Sequence, residues 1–282
     1  MLTHPFPGGI TVEIKDKVAV ITGAGSGIGN AVAIELANRG VKAVLMVDLT
    51  DQVKINAEEV NAEVGRIVAY PYQGDVTQAD FRTSVFDDAE EKFGLVSICI
   101  PAAGITRDSL AVRIDKETGK AKIYDQERFQ LVLDVNLTAP VYWALEMVAR
   151  IAEDRFNRDL KKWNASEGVQ GAVVFIGSVS SQGNKGQISY AATKAGLEGA
   201  ASTLMKEAIF YGVRCCVIHP GFTDTPMVRA LGEEYIEKHV LPDTQLGRLI
   251  RPAEIADAIC FMVSNSAISG ELWADAGWHP NP

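Results

Sequence analysis

The sequence predicts an α/β protein, a doubly wound parallel sheet of about seven strands with helices on both faces, folded as a single domain. Two observations predict it. Short apolar, β-rich runs recur at residues 18–22, 43–47, 67–70, 96–100, 172–176, 214–218 and 272–275, each separated from the next by enough chain for a crossover helix. Right-handed crossovers place helices on either side of a parallel sheet. In addition, 47% of the 282 residues are hydrophobic, enough for a substantial core, and no Pro/Gly/Ser-rich linker or internal repeat divides them. Residues 1–16 precede the pattern as an N-terminal extension, and 17–282 form the domain.

Charge and composition exclude several classes. A net charge of −9 repels phosphate backbones, and no Lys/Arg block overrides it, so neither nucleic acid nor an anionic membrane is an expected partner. No window approaches the roughly 18 consecutive apolar residues of a spanning helix, and residues 1–14 lack the regions of a signal peptide, which predicts a cytoplasmic protein. Cys99, Cys215, Cys216 and Cys260 lie in apolar stretches without C-x-x-C spacing. That pattern predicts buried, reduced thiols, no disulfide framework and no metal site.

Immediately after the first run stands Thr22-Gly23-Ala24-Gly25-Ser26-Gly27-Ile28-Gly29, opening a helical segment over 30–39. Glycines 23, 27 and 29 permit a tight turn, close approach of backbone to a pyrophosphate, and close packing of helix on strand. The helix N-terminus supplies free N–H groups and a positive dipole end. The second run ends Met46-Val47-Asp48, about twenty residues beyond the glycines, where a carboxylate accepts hydrogen bonds from the adenosine ribose. The same carboxylate repels a 2′-phosphate. Leu49 rather than a basic residue follows it, and Ser26 occupies the turn, so the expected cofactor is NAD rather than NADP.

These residues resemble the short-chain dehydrogenase/reductase family, whose T-G-x-x-x-G-x-G pattern matches residues 22–29; the implied fold is of the Rossmann type. Gly74-Asp75-Val76-Thr77 resembles the family's adenine-contacting turn, with Asp75 and Val76 as the contacts. Asn136, Ser178 and the Tyr190-Ala191-Ala192-Thr193-Lys194 stretch match its catalytic set, and Pro220-Gly221-Phe222-Thr223-Asp224-Thr225 matches its nicotinamide-contacting segment. The implied cofactor contacts are Gly23, Ser26, Gly27, Ile28, Gly29, Asp48, Asp75, Val76, Ala103, Tyr190, Lys194, Pro220, Gly221, Thr223 and Thr225. The resemblance also implies a homotetramer assembled through helices near 137–152 and 190–210. One departure is visible: where the family has N-N-A-G, this chain has Pro101-Ala102-Ala103-Gly104. The missing asparagine side chain removes a link that the resemblance implies to Thr22.

The chemistry requires a proton to move at the substrate oxygen as hydride moves at carbon, and a tyrosine with a pKa near 10 is a poor base at neutral pH. Lys194 lies one helical turn from Tyr190, so its ammonium is expected near the phenol oxygen, lowering its pKa together with the oxidised nicotinamide. The resemblance further implies that Lys194 binds the nicotinamide ribose, that Ser178 holds the substrate oxygen, and that Asn136 places a relay water behind Lys194. Specificity is expected from segments 106–110 and 179–187 and a lid over 226–246. Their residues Leu110, Val179, Gln187, Met227, Val228, Leu231 and Tyr235 suit a moderately hydrophobic secondary alcohol or ketone. The alternative substrate is a 3-oxoacyl or 3-hydroxyacyl thioester, since segments 176–194 and 213–227 resemble 3-oxoacyl-carrier-protein reductases and segment 129–137 the type-10 hydroxysteroid/3-hydroxyacyl-CoA dehydrogenases. A third reading is a catalytically silent NAD(H) sensor, against which the intact catalytic set speaks. Segments 113–125 and 153–170, the second a charged continuation of a helix, are expected as inserted, solvated surface. His219 and His279, each beside a proline, are expected to fill turns, and Trp273 and Trp278 to lie in the core or an interface.

Overall fold

The computed structural model describes residues 13–278, so His279 and most of the N-terminal extension lie outside the described residues. In chain order the strands are β1 (Val18–Thr22), β2 (Ala43–Asp48), β3 (Ala69–Gln73), β4 (Ile98–Pro101), β5 (Val112–Ile114), β6 (Ala121–Ile123), β7 (Gly171–Ile176), β8 (Val213–Pro220) and β9 (Gly270–Ala274). The helices are α1 (Gly27–Asn38), α2 (Gln52–Val64), α3 (Ala79–Phe93), α4 (Gln126–Leu133), α5 (Ala139–Asn157), α6 (Ile188–Ala208), α7 (Pro226–Arg229), α8 (Glu233–His239) and α9 (Pro252–Ser264). Seven strands form one parallel sheet in the order β3-β2-β1-β4-β7-β8-β9. The order reverses between β1 and β4, which opens a crevice at the carboxyl ends of those strands.

Strand side chains alternate between two core layers, as a period of two requires. Ala19 and Ile21 of β1 join the layer built with α1, α2 and α9, through residues such as Leu36, Val60 and Ile259. Val18 and Val20 point the other way, toward Phe86 of α3, Trp143 and Met147 of α5 and Leu197 of α6. Because both faces are covered, the central strands read as unbroken apolar runs, and every residue of β1, β7 and β8 is buried. The four cysteines are free and buried in these layers, and burial pushes the Cys260 thiol up to about 12.

The third strand differs from expectation: it runs through Pro71 to Gln73 rather than ending at Tyr70. A proline lacks the N–H for a ladder, but β3 is an edge strand and tolerates it. The segment at 113–125 is exposed as expected, yet it carries the antiparallel hairpin β5–β6. At its far end Tyr124 Oη contacts the Arg107 carbonyl at 2.5 Å and Ser189 Oγ at 3.0 Å, which ties the insertion to the loop before it and to α6.

The second insertion is not a helical continuation. α5 stops at Asn157, where Asp159 takes a φ of 56° and Leu160 N–H folds back onto the Arg155 carbonyl. Arg155, 1% exposed, donates to Glu167 at 2.6 Å and to the Lys161 carbonyl at 2.8 Å, and Trp163 N–H donates to the Phe210 carbonyl. The charge of this segment is therefore partly internal, closing it against the end of α6. Helix Gln126–Asn157, with a π turn over Asp134–Thr138, is long and apolar enough by composition to cross a membrane. Its Trp143, Met147 and Ile151 are buried against the sheet, as in the core helix of a globular domain.

Trp143 also reaches toward the crevice, donating from Nε1 to the Val76 carbonyl at 2.9 Å. Trp143→Phe leaves that buried acceptor unpaired, so the variant is expected to lose about 1–3 kcal/mol of unfolding free energy and to bind dinucleotide more weakly than wild type. Urea denaturation and a cofactor titration check both effects; unchanged stability would show that the bond holds nothing.

Candidate active site

The crevice at the sheet switch point is a cleft of about 310 Å³. Its floor is the turn between β1 and α1. Gly23 takes a φ of +69°, and a side chain there would meet the Ala103 backbone at 2.7 Å, so glycine lets the strand ends approach. Gly25 N–H donates to Asp48 Oδ2 at 2.9 Å, while Asp48 Oδ1 accepts from Thr50 N and Oγ1 at 2.9 and 2.8 Å. These bonds fix the carboxylate at the end of β2, facing the cleft. Asp75 is held in the same way by Thr77, whose N–H and hydroxyl keep the carboxyl below its usual range.

The departure at Pro101 is repaired by the main chain. Thr22 Oγ1 accepts from Ala103 N–H at 3.1 Å, and the Thr22 carbonyl accepts from Ala102 N–H at 3.1 Å. The expected side-chain link is absent, but Thr22 is held without it. Pro101 is the last residue of β4, paired beside Thr22.

A second, smaller cleft of about 130 Å³ adjoins the first, sharing Ile28, Ile176, Tyr190, Thr225 and Met227 with it. Ser178, Pro220, Gly221 and Thr223 line this cleft. Ser178 stands two residues beyond β7 and caps the turn that follows, its Oγ accepting from Ser180 N–H at 3.1 Å. Its hydroxyl also hydrogen-bonds the Tyr190 phenol. Across the mouth, Gln187 Nε2 donates to Asp108 Oδ2 at 2.8 Å, and Ser109 N–H to the Gly186 carbonyl, joining the two loops expected to set specificity. Val179, Gln187, Met227, Val228 and Leu231 line the cleft as expected. Leu110 and Tyr235 do not; they are 47% and 50% exposed.

The electrostatics of the pair on α6 correct one expectation. Lys194 Nζ donates to the Ile176 carbonyl at 2.7 Å and lies over the Tyr190 ring, 5.3 Å from its centroid, with no hydrogen bond to the phenol among the described residues. Burial therefore dominates, pushing Tyr190 up to about 12, with the Ser178 bond opposing and Asp108 adding to the rise. Burial likewise lowers Lys194 to about 8. Both groups are poised toward their neutral forms.

Asn136 is held in place by its amide. It is fully buried in the π turn, and its amide is committed in both directions to Ile105, accepting from the N–H and donating to the carbonyl at 2.8 Å each. It clamps the segment after β4, which lines the dinucleotide cleft. His219 is not a turn residue. It lies inside β8, wholly buried, its ring stacked on Trp273 at 4.1 Å and its Nδ1 against the Ser178 backbone. Trp278 packs edge-on against Phe222.

Every expected cofactor contact thus lines one of the two adjoining clefts. Asp108 and Ile105 were not singled out from sequence. Asp108 falls within the expected 106–110 loop, but the role of Ile105 is visible only through its backbone bonds to Asn136.

A Gly-rich turn at the switch point, an acidic residue closing β2, and a Ser-Tyr-Lys group beside the cleft define a dinucleotide-binding oxidoreductase. The family model for short chain dehydrogenases matches residues 17–236, and the chain belongs to that family. Among its relatives is 3-oxoacyl-[acyl-carrier-protein] reductase FabG of Vibrio cholerae, 31% identical over 271 residues that cover 92% of this chain and 96% of that protein. The FabG of Thermotoga maritima is 31% identical over 264 residues, covering 93% and 96%. Acetoacetyl-CoA reductase of Synechocystis is 31% identical over 274 residues, covering 96% and 99%. A crystal structure of a short-chain type dehydrogenase/reductase from Mycobacterium marinum superposes with a TM-score of 0.79 over 94% of this chain and 96% of that one, at 24% identity, and shares the fold.

The depressed Lys194 makes a pH prediction. Its folded value of about 8 lies below the ordinary 10.5, so between those limits the unfolded chain binds a proton that the native chain lacks, and stability rises with pH. Relative to Lys194→Met, wild type should gain stability across that window, at most about 1.4 kcal/mol per pH unit, with no differential change below it. Denaturant unfolding of both proteins over the range checks this; a flat difference would contradict the buried-amine account.

Proposed function

We propose that the chain is an NAD(H)-dependent oxidoreductase interconverting 3-oxoacyl and 3-hydroxyacyl thioesters. The observation that carries this reading is the meeting of Ser178, Tyr190 and Lys194 where the dinucleotide cleft joins the second cleft. Oxidoreduction at a CH–OH or keto group follows from family membership. The thioester follows from the relatives, which are named for 3-oxoacyl-carrier-protein and acetoacetyl-CoA reduction. The thioester is the alternative from sequence, and the relatives support it over the moderately hydrophobic secondary alcohol or ketone placed first there.

The residues fit a dinucleotide. Gly23, Ser26, Gly27, Ile28 and Gly29 form a cradle at the N-terminus of α1, and side chains at Gly25 or Gly29 would strike Asp48 or the Gly23 carbonyl. Asp75 and Val76 would flank the adenine, with Ala103 along the cleft wall. Pro220, Gly221, Thr223 and Thr225 would meet the nicotinamide end. Asp48 favours NAD: a 2′-phosphate would lie against a carboxylate, and Leu49 beside it is 66% exposed and uncharged. When bound, the nicotinamide supplies or takes the hydride.

The protein's share is the proton and its placement. In reduction Tyr190 gives its phenolic proton to the substrate oxygen, and in oxidation it takes the alcohol proton. Ser178 donates to the same oxygen and holds it as charge changes. Lys194, carrying positive charge near the Tyr190 ring, stabilises the tyrosinate, and a second positive charge at an oxidised ring adds to it. Asn136 acts as a positioning residue through Ile105. Segment 226–246 serves as the lid. We place the enzyme in the cytoplasm as a homotetramer; Tyr142, Leu145 and Phe156 on α5 and Phe210 after α6 expose apolar surface suited to that assembly.

A panel of acyl-CoA and acyl-carrier-protein 3-oxo thioesters and free ketones, followed by NADH absorbance, tests the substrate. The thioesters should show the higher kcat/KM, and free ketones turned over better would overturn the thioester assignment. Tyr190→Phe should lower kcat by about 10²-fold or more while NADH binding persists; near-normal turnover would remove Tyr190 from the chemistry. Light scattering should give a tetramer mass, and elution as a monomer would contradict the assembly.

A further inference from the structure

Behind Ser178, on the side away from the two clefts, three ligand-type side chains converge from three elements. His219 of β8 is 0% exposed, and its Nε2 lies 3.3 Å from Glu271 Oε2 of β9 and 3.8 Å from Glu198 Oε1 of α6. The three ligand atoms all lie within 4.8 Å of one another. Neither His219 Nε2 nor Glu198 Oε1 makes a hydrogen bond among the described residues, although both are buried. A buried imidazole nitrogen facing two carboxylates, with no hydrogen bond formed, is a polar atom left unsatisfied.

We propose that Glu198, His219 and Glu271 bind one divalent metal ion of the Zn²⁺ class, a structural ion that joins α6, β8 and β9 behind Ser178. The spacing fits: Zn–N and Zn–O bonds of about 2.0–2.2 Å in a tetrahedron place ligand atoms roughly 3.3 Å apart, close to the distances observed. Imidazole with carboxylates is a borderline donor set that suits Zn²⁺ over Mg²⁺ or Ca²⁺. A cavity of about 10 Å³ beside Glu198 and Glu271 has the volume for one solvent ligand to complete the shell.

The surroundings prepare the ring for this role. Trp273 stacks on its face, leaving the Nε2 edge toward the acids. Nδ1 lies 3.3 Å from the Ser178 N–H and 3.2 Å from the Ser178 carbonyl; in the tautomer protonated at Nδ1 the ring donates to that carbonyl and turns an Nε2 lone pair to the metal. Gly177 makes room, since a side chain there would come within 2.6 Å of Nδ1. The ligands come from distant parts of the sequence, so no short motif announces the site. Glu198 lies one helical turn beyond Lys194, and His219 bears on the Ser178 backbone, so the ion would brace two residues of the proposed active site without touching substrate.

The test uses the full-length chain, freed of metal with a chelator and titrated with Zn²⁺ alone by calorimetry. One Zn²⁺ per chain should bind, and an excess of about a hundredfold over Kd should raise Tm by several degrees. Co²⁺ in its place should give the visible d–d absorption of a tetrahedral site. Glu271→Gln, at the half-exposed edge, should weaken Zn²⁺ binding at least tenfold, and the Glu198→Gln/Glu271→Gln double variant should abolish it, while metal-free melting stays near wild type. No stoichiometric uptake, or uptake unchanged in the double variant, would overturn the site. Lack of uptake combined with a metal-free loss of stability in Glu271→Gln would show a proton-bridged ion pair in its place, and equally overturns it.

Discussion

The hydrogen bond from Gly25 N–H to the Asp48 carboxylate is the interaction on which the rest of the site depends. It joins the turn after β1 to the end of β2 and so sets the shape of the crevice where the sheet order reverses. The space is tight enough that a side chain at Gly25 would lie 2.7 Å from the Asp48 carboxyl carbon. One carboxylate therefore has two consequences. It closes the glycine turn, and in the proposed NAD(H) reading it would put negative charge where a 2′-phosphate would have to go.

From that anchor the site extends along the carboxyl ends of the strands. β4 delivers Ala103 to Thr22, β7 delivers Ser178, and β8 delivers Pro220 and Gly221. α6 then lays Tyr190 and Lys194 across the junction of the two clefts. Burial disfavours the charged form of each, although Lys194 at about 8 still carries its proton at neutral pH, and the Ser178 hydroxyl partly offsets the rise at the phenol. Burial alone produces such shifts; what sets this pair apart is its place where the two clefts meet.

Much of this was legible in the sequence because the signals are local. The strand-turn-helix context of residues 22–29 and the position of Asp48 are written in short spacings, and the covered sheet shows as repeated apolar runs. What was not legible depends on distance in space. Pro71 ended the expected third strand early because its tolerance comes from an edge position that only the sheet order reveals. Arg155 read as surface charge, yet it is buried by pairing with Glu167, twelve positions on. Asn136 matched a family position, but the commitment of its amide to Ile105 required coordinates. His219 beside Pro220 resembled a turn residue, and its stacking on Trp273 across the β8–β9 pair had no sequence signature.

If Asp48 selects NAD(H), paired fluorescence titrations of the wild-type protein with NADH and NADPH will show it. The Kd for NADH should lie at least tenfold below that for NADPH, a difference of about 1.4 kcal/mol. Equal affinity, or tighter binding of NADPH, would contradict it.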